Sequence, residues 1–138
     1  MTFPWRQNIT ASDIDRIKWL EGTWRGTGEG QEPFYEKYRF EGTTLYEDSY
    51  EDSSLTKVKD SAKYALINGE FRHTANGKRV VASELTDDHI QFIPAVGDGN
   101  SYRFEKQPDG KWRAVLEWPA KGDQPAKKVI YNMEPYKK

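Results

Sequence analysis

The sequence predicts an all-β protein: a single antiparallel up-and-down β-barrel of about nine or ten strands, with a short N-terminal helix capping one end. Three observations predict it. Short segments with alternating apolar and polar residues follow one another, separated by turn signals such as Asn68-Gly69 and Asn76-Gly77. Four glycines and one tryptophan occupy every second position from 22 to 30, in the first predicted strand. Helical periodicity occurs only once, at residues 12–20, so strand–helix–strand alternation is not expected.

The chain begins with a predicted irregular arm, residues 1–11, followed by the helix at 12–20. Phe3 and Trp5 in the arm could plug a barrel end or pack on the surface. Ser12 is the expected N-cap of the helix, and acidic residues follow it at the positive end of the helix dipole. The helix would present one apolar stripe to a barrel mouth, formed by Ile14, Ile17 and Leu20.

The stretch from Gly22 to Gly30 is predicted to open the barrel. Trp24 and the glycines at even positions share one strand face, because side chains alternate along a strand. Glycines suit a strand that bends sharply or that other groups approach closely, and closing a small barrel needs such bends. We expect Trp24 to fill one barrel end and the glycines to leave room further up. The alternative is an ordinary glycine-rich edge strand.

The turns that follow predict register as well as strands. Asn68-Gly69 is a two-residue hairpin signal that places Leu66 opposite Phe71. Asn76-Gly77 repeats the signal and places His73 opposite Val80. The turn at 107–110 pairs Phe104 with Ala114, and it pairs Glu105 with Arg113 on the outer face.

The remaining strands are less sharply defined. Further strands are expected at 33–41, 45–50 and 127–133, whereas residues 51–60 are ambiguous between a loop and a weak strand. The more charged face of each strand should meet solvent. Several polar residues would then point inward, namely Glu36, Tyr38, Tyr64, His73, Glu84, Tyr102 and Tyr131. A slip of one residue in register would reverse this assignment.

Length and composition narrow the function classes. The 138 residues suit one domain, 1–138, with the barrel at 22–134. A net charge of −1 with 31% charged residues indicates a mixed surface, which argues against nucleic acid as a partner. There is no cysteine and therefore no disulfide or thiolate metal site. Without an apolar leader core or a membrane-length apolar segment, we expect a soluble, cytoplasmic protein that does not bind a membrane.

The segment Trp19-Leu20-Glu21-Gly22-Thr23-Trp24-Arg25-Gly26-Thr27-Gly28 resembles the opening of the calycin barrels. These are the lipocalins, the fatty-acid-binding proteins, and the nitrobindin-like and lipocalin-like bacterial domains. The shared signature is Gly-x-Trp at the first strand, here Gly22-Thr23-Trp24, and the extended Gly-x-Trp-x-Gly-x-Gly form is most similar to the nitrobindin-like branch. With the predicted strands, the resemblance covers nearly the whole chain.

The resemblance also implies bound groups, heme and a fatty-acid carboxylate, that this chain is not expected to hold. Nitrobindin-like proteins bind heme through a histidine near the C-terminal end of the barrel. Here Tyr131, Asn132 and Met133 occupy the last strand, and no histidine follows His89, so heme is not expected. Fatty-acid-binding proteins hold a carboxylate with an Arg-x-Tyr set on the final strands, which the segment 128–131 lacks. No cofactor and no metal are predicted.

The leading functional hypothesis is non-covalent binding of a small, largely apolar molecule inside the barrel. Inward polar residues are costly in a sealed core, so they either satisfy one another or face a ligand and water. The expected aromatic walls are Phe40, Phe71, Phe92, Phe104, Trp112 and Trp118. The residues expected to contact or orient the ligand are Glu36, Tyr38, Tyr64, His73, Tyr102 and Tyr131.

Three other interpretations remain open. The same cavity could serve a cofactor-independent enzyme of the isomerase or cyclase type, with His73 or Glu36 as general base. A lone strand histidine such as His73, however, is more often a hydrogen-bonded structural residue, and His89, beside a turn, is expected to be exposed. The protein could also be a ligand-free barrel that acts through its surface, for example as a homodimer. The acidic group at 47–52 could suggest calcium, but its spacing fits no EF-hand, and a solvated turn is favoured.

Overall fold

The computed structural model describes residues 7–75, 77–97 and 99–138, and within them the chain forms one closed antiparallel barrel of ten strands. The expected plug by Phe3 and Trp5 lies outside the described residues. The strands are β1 (Gly22–Gly28), β2 (Gln31–Glu41), β3 (Thr44–Tyr50), β4 (Val58–Ile67), β5 (Glu70–Ala75), β6 (Lys78–Leu85), β7 (His89–Pro94), β8 (Ser101–Lys106), β9 (Trp112–Trp118) and β10 (Lys127–Pro135).

Each strand pairs with the next along the chain, and β1 pairs with β10 to close the sheet. Gly26 lies opposite Met133 at this closure. The all-β class, the up-and-down order and the strand number are therefore as predicted. No helix among the described residues is long and apolar enough to cross a membrane.

The predicted hairpin registers are confirmed. Leu66 pairs with Phe71 across a turn in which Asn68 and Gly69 both have positive φ, as a two-residue hairpin requires. His73 pairs with Val80. The pair Glu105–Arg113 also forms as expected, with Arg113 Nε donating to Glu105 at 2.5 Å.

The N-terminal helix differs from the expectation in extent and cap. Helix α1 covers only Ala11–Ile14, and the chain tightens into a 3-10 helix over Asp15–Leu20. Thr10, not Ser12, is the N-cap. The Thr10 backbone N–H donates to the Asp13 carboxylate at 2.9 Å, and the Thr10 hydroxyl accepts from the Asp13 backbone N–H. Thr10 is the N-cap instead of Ser12 because Asp13 lies three residues after Thr10, which is the spacing of a capping box.

The apolar stripe of the helix closes one end of the barrel, as predicted. Ile14, Ile17 and Leu20 are completely buried. Trp24 fills the same end, where its Nε1 donates to the Leu20 carbonyl at 2.8 Å and its ring meets the Trp112 ring edge-on at 5.8 Å. Burying these side chains stabilises the fold by about 1.5–3 kcal/mol each.

The glycines of β1 allow close approach, but the space beside them is filled. A Cβ at Gly26 would overlap the Phe34 ring, and a Cβ at Gly28 would overlap the Tyr131 ring. The two rings meet edge-on at 5.2 Å. The expectation that these glycines leave room inside the barrel is therefore wrong, because two aromatic side chains occupy the space beside them.

A β-bulge in β6 overturns the inward assignment of Glu84. Ala82 pairs with Phe92, but the next pair is Glu84 with Gln91, so Ser83 is an extra residue in β6. The bulge reverses the alternation of faces. Leu85 is buried in the core, whereas Glu84 is exposed and contacts His89. His89, expected to be exposed, is half-buried because Glu84 and Thr86 both bond to its ring.

Candidate functional site

The barrel interior has two parts, a packed aromatic core near the helix and a cavity beyond it. The core is a chain of ring contacts in which centroids lie 4.9–6.4 Å apart, and it contains Trp24, Tyr38, Tyr64, Phe71, Phe92, Tyr102, Phe104 and Trp112. Such edge-to-face and offset arrangements are favourable beyond the area they bury. This core divides the sealed half of the barrel from the cavity.

The cavity has a volume of about 400 Å³. On β2 it extends from Tyr38 toward Gln31, which is the direction away from the helix, because Gly22 at the start of β1 lies opposite Tyr38. Its walls combine apolar and polar side chains. The apolar ones are Phe34, Phe104, Ala114, Leu116 and Met133. The polar and aromatic-polar ones are Gln31, Tyr35, Glu36, Tyr38, Glu47, Ser49, Tyr50, Lys59, Tyr64, Asn100, Tyr102 and Tyr131.

The predicted ligand-binding residues divide between these two parts. Six of them line the cavity: Glu36, Tyr38, Tyr64, Tyr102, Phe104 and Tyr131. Phe71, Phe92 and Trp112 are buried in the core instead. Phe40 lies near the helix, where the Lys18 ammonium sits 4.3 Å from its ring centre, and Trp118 lies at the end of β9, where the Lys127 ammonium is 5.4 Å from its ring centre.

His73, the first catalytic candidate, does not line the cavity. Its ring lies against Tyr64, with centroids 5.0 Å apart, and its Nδ1 is 3.3 Å from the Lys63 carbonyl. This geometry is that of a hydrogen-bonded structural histidine. Among the described residues, His73 forms no hydrogen bond or ring contact with Glu36, the other candidate base.

Glu36, the second candidate, occupies the cavity wall. Its carboxylate accepts from the Tyr38 hydroxyl at 3.1 Å and from the Ser49 hydroxyl at 3.4 Å. Burial raises the pKa of Glu36, whereas the Tyr38 and Ser49 hydrogen bonds and the positive charge of Lys59 lower it, and the net direction is upward. Glu36 is therefore a carboxyl group that is harder to ionise than one in water.

Glu47 is a site residue that the sequence interpretation missed. It lies directly opposite Tyr38 on β3 and lines the cavity beside Glu36. Burial first, and the nearby charge of Glu36 second, raise the pKa of Glu47 to about 8. The signal was present in the sequence, because Leu45, Glu47 and Ser49 alternate along the third strand. The expected solvated turn at 47–52 is correct only from residue 51 onward.

A second polar pair crosses the cavity. The hydroxyl oxygens of Tyr64 and Tyr102 are 2.8 Å apart, so one donates to the other. Burial raises the pKa of both hydroxyl groups. Both tyrosines therefore stay protonated and can act only as neutral hydrogen-bond partners. One of their two protons remains free to donate to a bound molecule.

The arrangement offers hydrogen bonding and proton exchange at one wall and apolar contact at the other. No group of three or more histidine, cysteine or carboxylate side chains that could hold a metal ion occurs in the described part of the chain. Comparison with known protein families finds no family model that matches the sequence. Comparison with curated proteins finds no significant match either.

Proposed function

We propose that the barrel is a calycin-like binding protein that holds a small molecule in its cavity without a covalent bond. The observation that carries this proposal is the cavity itself: about 400 Å³ of interior space next to a fully packed aromatic core. Ligand sites of this size are typically apolar concavities with a few placed polar groups. A barrel that needed only stability would gain by filling this space.

The two kinds of wall suggest how a ligand would be oriented. Phe104, Leu116 and Met133 would contact an apolar body, which removes apolar surface from water. Glu36 and Tyr38 would bind a polar group at the opposite wall. The ligand is therefore a molecule with an apolar body and at least one hydrogen-bond donor.

A substitution that fills the cavity tests this proposal. Leu116→Trp would add bulk inside, whereas Glu117→Trp adds the same side chain at the next position, which is exposed. The probe is N-phenyl-1-naphthylamine, a neutral aromatic compound whose fluorescence rises in apolar surroundings. Wild type and Glu117→Trp should bind it, and Leu116→Trp should bind at least about tenfold more weakly. Equal binding by all three proteins, or none by the wild type, contradicts the proposal.

The second candidate function is catalysis in the same cavity. The specific observation that favours it is the Glu36–Tyr38–Glu47 group, since two carboxyl groups with raised pKa values beside a tyrosine hydroxyl are suited to proton transfer. Glu36 would act as base and Tyr38 or Glu47 as donor, in an isomerase or cyclase reaction without a cofactor. Glu36→Gln should then abolish turnover of a substrate that still binds.

A further inference from the structure

The carboxyl groups of Glu36 and Glu47 form one acidic wall of the cavity. Glu36 projects from β2 opposite Ser49, and Glu47 projects from β3 opposite Tyr38, so the two alternate across one strand pair and face the same interior. Tyr38 lies between them. Its hydroxyl has a single proton, which it donates to Glu36 at 3.1 Å, so it cannot donate to Glu47 at the same time.

The neighbouring charges do not neutralise this wall. Among the described residues, no lysine or arginine nitrogen forms an ion pair with either carboxyl group. Of the residues that the structure describes, Lys59 of β4 is the only cation in the cavity lining, and it is exposed. Asp48 and Asp60 add negative charge from β3 and β4. The other polar groups in the cavity lining are uncharged amides and hydroxyls, those of Gln31, Tyr35, Tyr38, Ser49, Tyr50, Tyr64, Asn100, Tyr102 and Tyr131.

Two carboxyl groups in one partly desolvated space cannot both ionise without a positive partner. Without a bound cation a proton fills that need, which is why Glu47 stays largely protonated near neutral pH. A cation that binds between the two carboxyl groups can replace this proton.

The opposite side of the cavity suits the apolar body of an organic cation. The rings of Tyr102 and Phe104 on β8 and of Tyr131 on β10 line it, and aromatic faces attract an ammonium group as well as apolar carbon. We propose that the cavity selects an organic ammonium ion with an apolar body, held between Glu36 and Glu47, and that its binding displaces a proton from this pair. This inference rests on the proposed binding function and names the class of ligand.

Three probes of nearly the same shape test the charge preference: phenethylamine, 2-phenylethanol and 3-phenylpropanoate. They carry a positive, a neutral and a negative group on the same aromatic body. At pH 7 phenethylamine should bind at least about tenfold more tightly than 2-phenylethanol, and 3-phenylpropanoate should bind most weakly. Equal or tighter binding of the alcohol or the carboxylate overturns the inference.

Substitutions of single carboxyl residues test which groups cause the preference for phenethylamine. Glu47→Gln and Glu36→Gln should each bring the ratio of phenethylamine affinity to 2-phenylethanol affinity close to one, because each removes a carboxyl group whose charge attracts only the amine. Asp48→Asn is the matched control, because Asp48 is the next residue on β3 but accepts its hydrogen bond from Ser61 at 2.7 Å, away from the cavity. It should keep the preference. Loss of the preference in Asp48→Asn alone overturns the assignment to Glu36 and Glu47.

Calorimetry in buffers of different ionisation enthalpy measures the displaced proton. Phenethylamine should release protons from the wild type at pH 7 and none from Glu47→Gln, whereas proton uptake or no change in the wild type overturns the inference. Failure of this inference is distinguishable from failure of the proposed function. If N-phenyl-1-naphthylamine binds in the cavity but the amine gains no advantage, only the ligand class is wrong; if no probe binds, both fail.

Discussion

Tyr38 and Glu47 lie directly opposite each other on neighbouring strands, and both line the cavity. The Tyr38 hydroxyl donates to Glu36, two residues away on its own strand. One tyrosine therefore lies beside two carboxyl groups from adjacent strands and donates its single proton to one of them. The protonation state of the two carboxyl groups connects stability, pH and binding.

Glu47 should make the protein less stable as pH rises. Its pKa is about 8 in the folded protein and near 4.5 when unfolded, so the folded state binds more protons between these values. The free energy of unfolding must then fall as pH rises from about 4.5 to 8. Each unit of pKa shift corresponds to about 1.4 kcal/mol. Urea unfolding from pH 5 to 9 should show the fall in the wild type and a shallower one in Glu47→Gln.

Asp48→Asn is the control for this pH dependence, because it removes a carboxylate from the outer face of the same strand. Its stability should fall with pH nearly as steeply as that of the wild type, because the Asp48 charge is the smallest of the causes that raise the Glu47 pKa. A Glu47→Gln protein with the wild-type slope contradicts the assignment of the titration to Glu47.

Gly26 should tolerate no side chain while Phe34 is present. A Cβ there would overlap the Phe34 ring, which Tyr131 holds in place from the other side. Gly26→Ala should cost about 1–3 kcal/mol of stability by overpacking. In a Phe34→Leu background the same substitution should cost clearly less, because the ring is gone. Equal costs in the two backgrounds, measured by denaturant unfolding, are inconsistent with this contact.

The Tyr64–Tyr102 pair should show strong coupling. Removing one hydroxyl leaves the other without its partner inside the barrel, at a cost of about 1–3 kcal/mol. Removing both should cost less than the sum of Tyr64→Phe and Tyr102→Phe, by at least about 0.5 kcal/mol. A double-mutant cycle of unfolding free energies measures this difference, and strict additivity refutes the bond.

Trp24 should be essential to the closed end of the barrel. Trp24→Phe removes the hydrogen bond to the Leu20 carbonyl and the volume that contacts Trp112. We expect a loss of about 2–4 kcal/mol, since a buried carbonyl loses its donor and a void forms. Trp118→Phe, at a half-buried position at the end of β9, should cost less than about 1 kcal/mol. Similar losses in thermal or urea unfolding would argue against the special role of Trp24.

Most of the barrel could be predicted because its hairpins are local. Asn68-Gly69 allows only a two-residue turn, and that turn fixes the pairing of Leu66 with Phe71. The bulge at Ser83 could not be predicted in this way, because no glycine or proline marks it. Glu84 was therefore placed on the wrong face, and its contact with His89 was missed.

The candidate site was only partly predictable. Alternation along the second strand correctly placed Glu36 and Tyr38 in the interior. The same alternation counted from Leu45 places Glu47 there too, but the acidic residues between 47 and 52 are also typical of a solvated turn. Which inward aromatic residues pack and which leave space depends on ring contacts between distant strands. The sequence predicts that Phe92 and Phe104 both point inward from their strands, yet only Phe104 reaches the cavity.

The most direct test for a ligand site inside the barrel is a methyl NMR spectrum recorded while a ligand binds. The sequence has two methionines, Met1 and Met133, and Met133 is buried at the cavity wall. With ¹³C-methyl methionine, Met133→Leu assigns the two signals. On titration with N-phenyl-1-naphthylamine, the Met133 signal should shift saturably and show nuclear Overhauser contacts to the probe rings. Saturable binding that leaves the Met133 signal unmoved, with no such contacts, would contradict a ligand site inside the barrel.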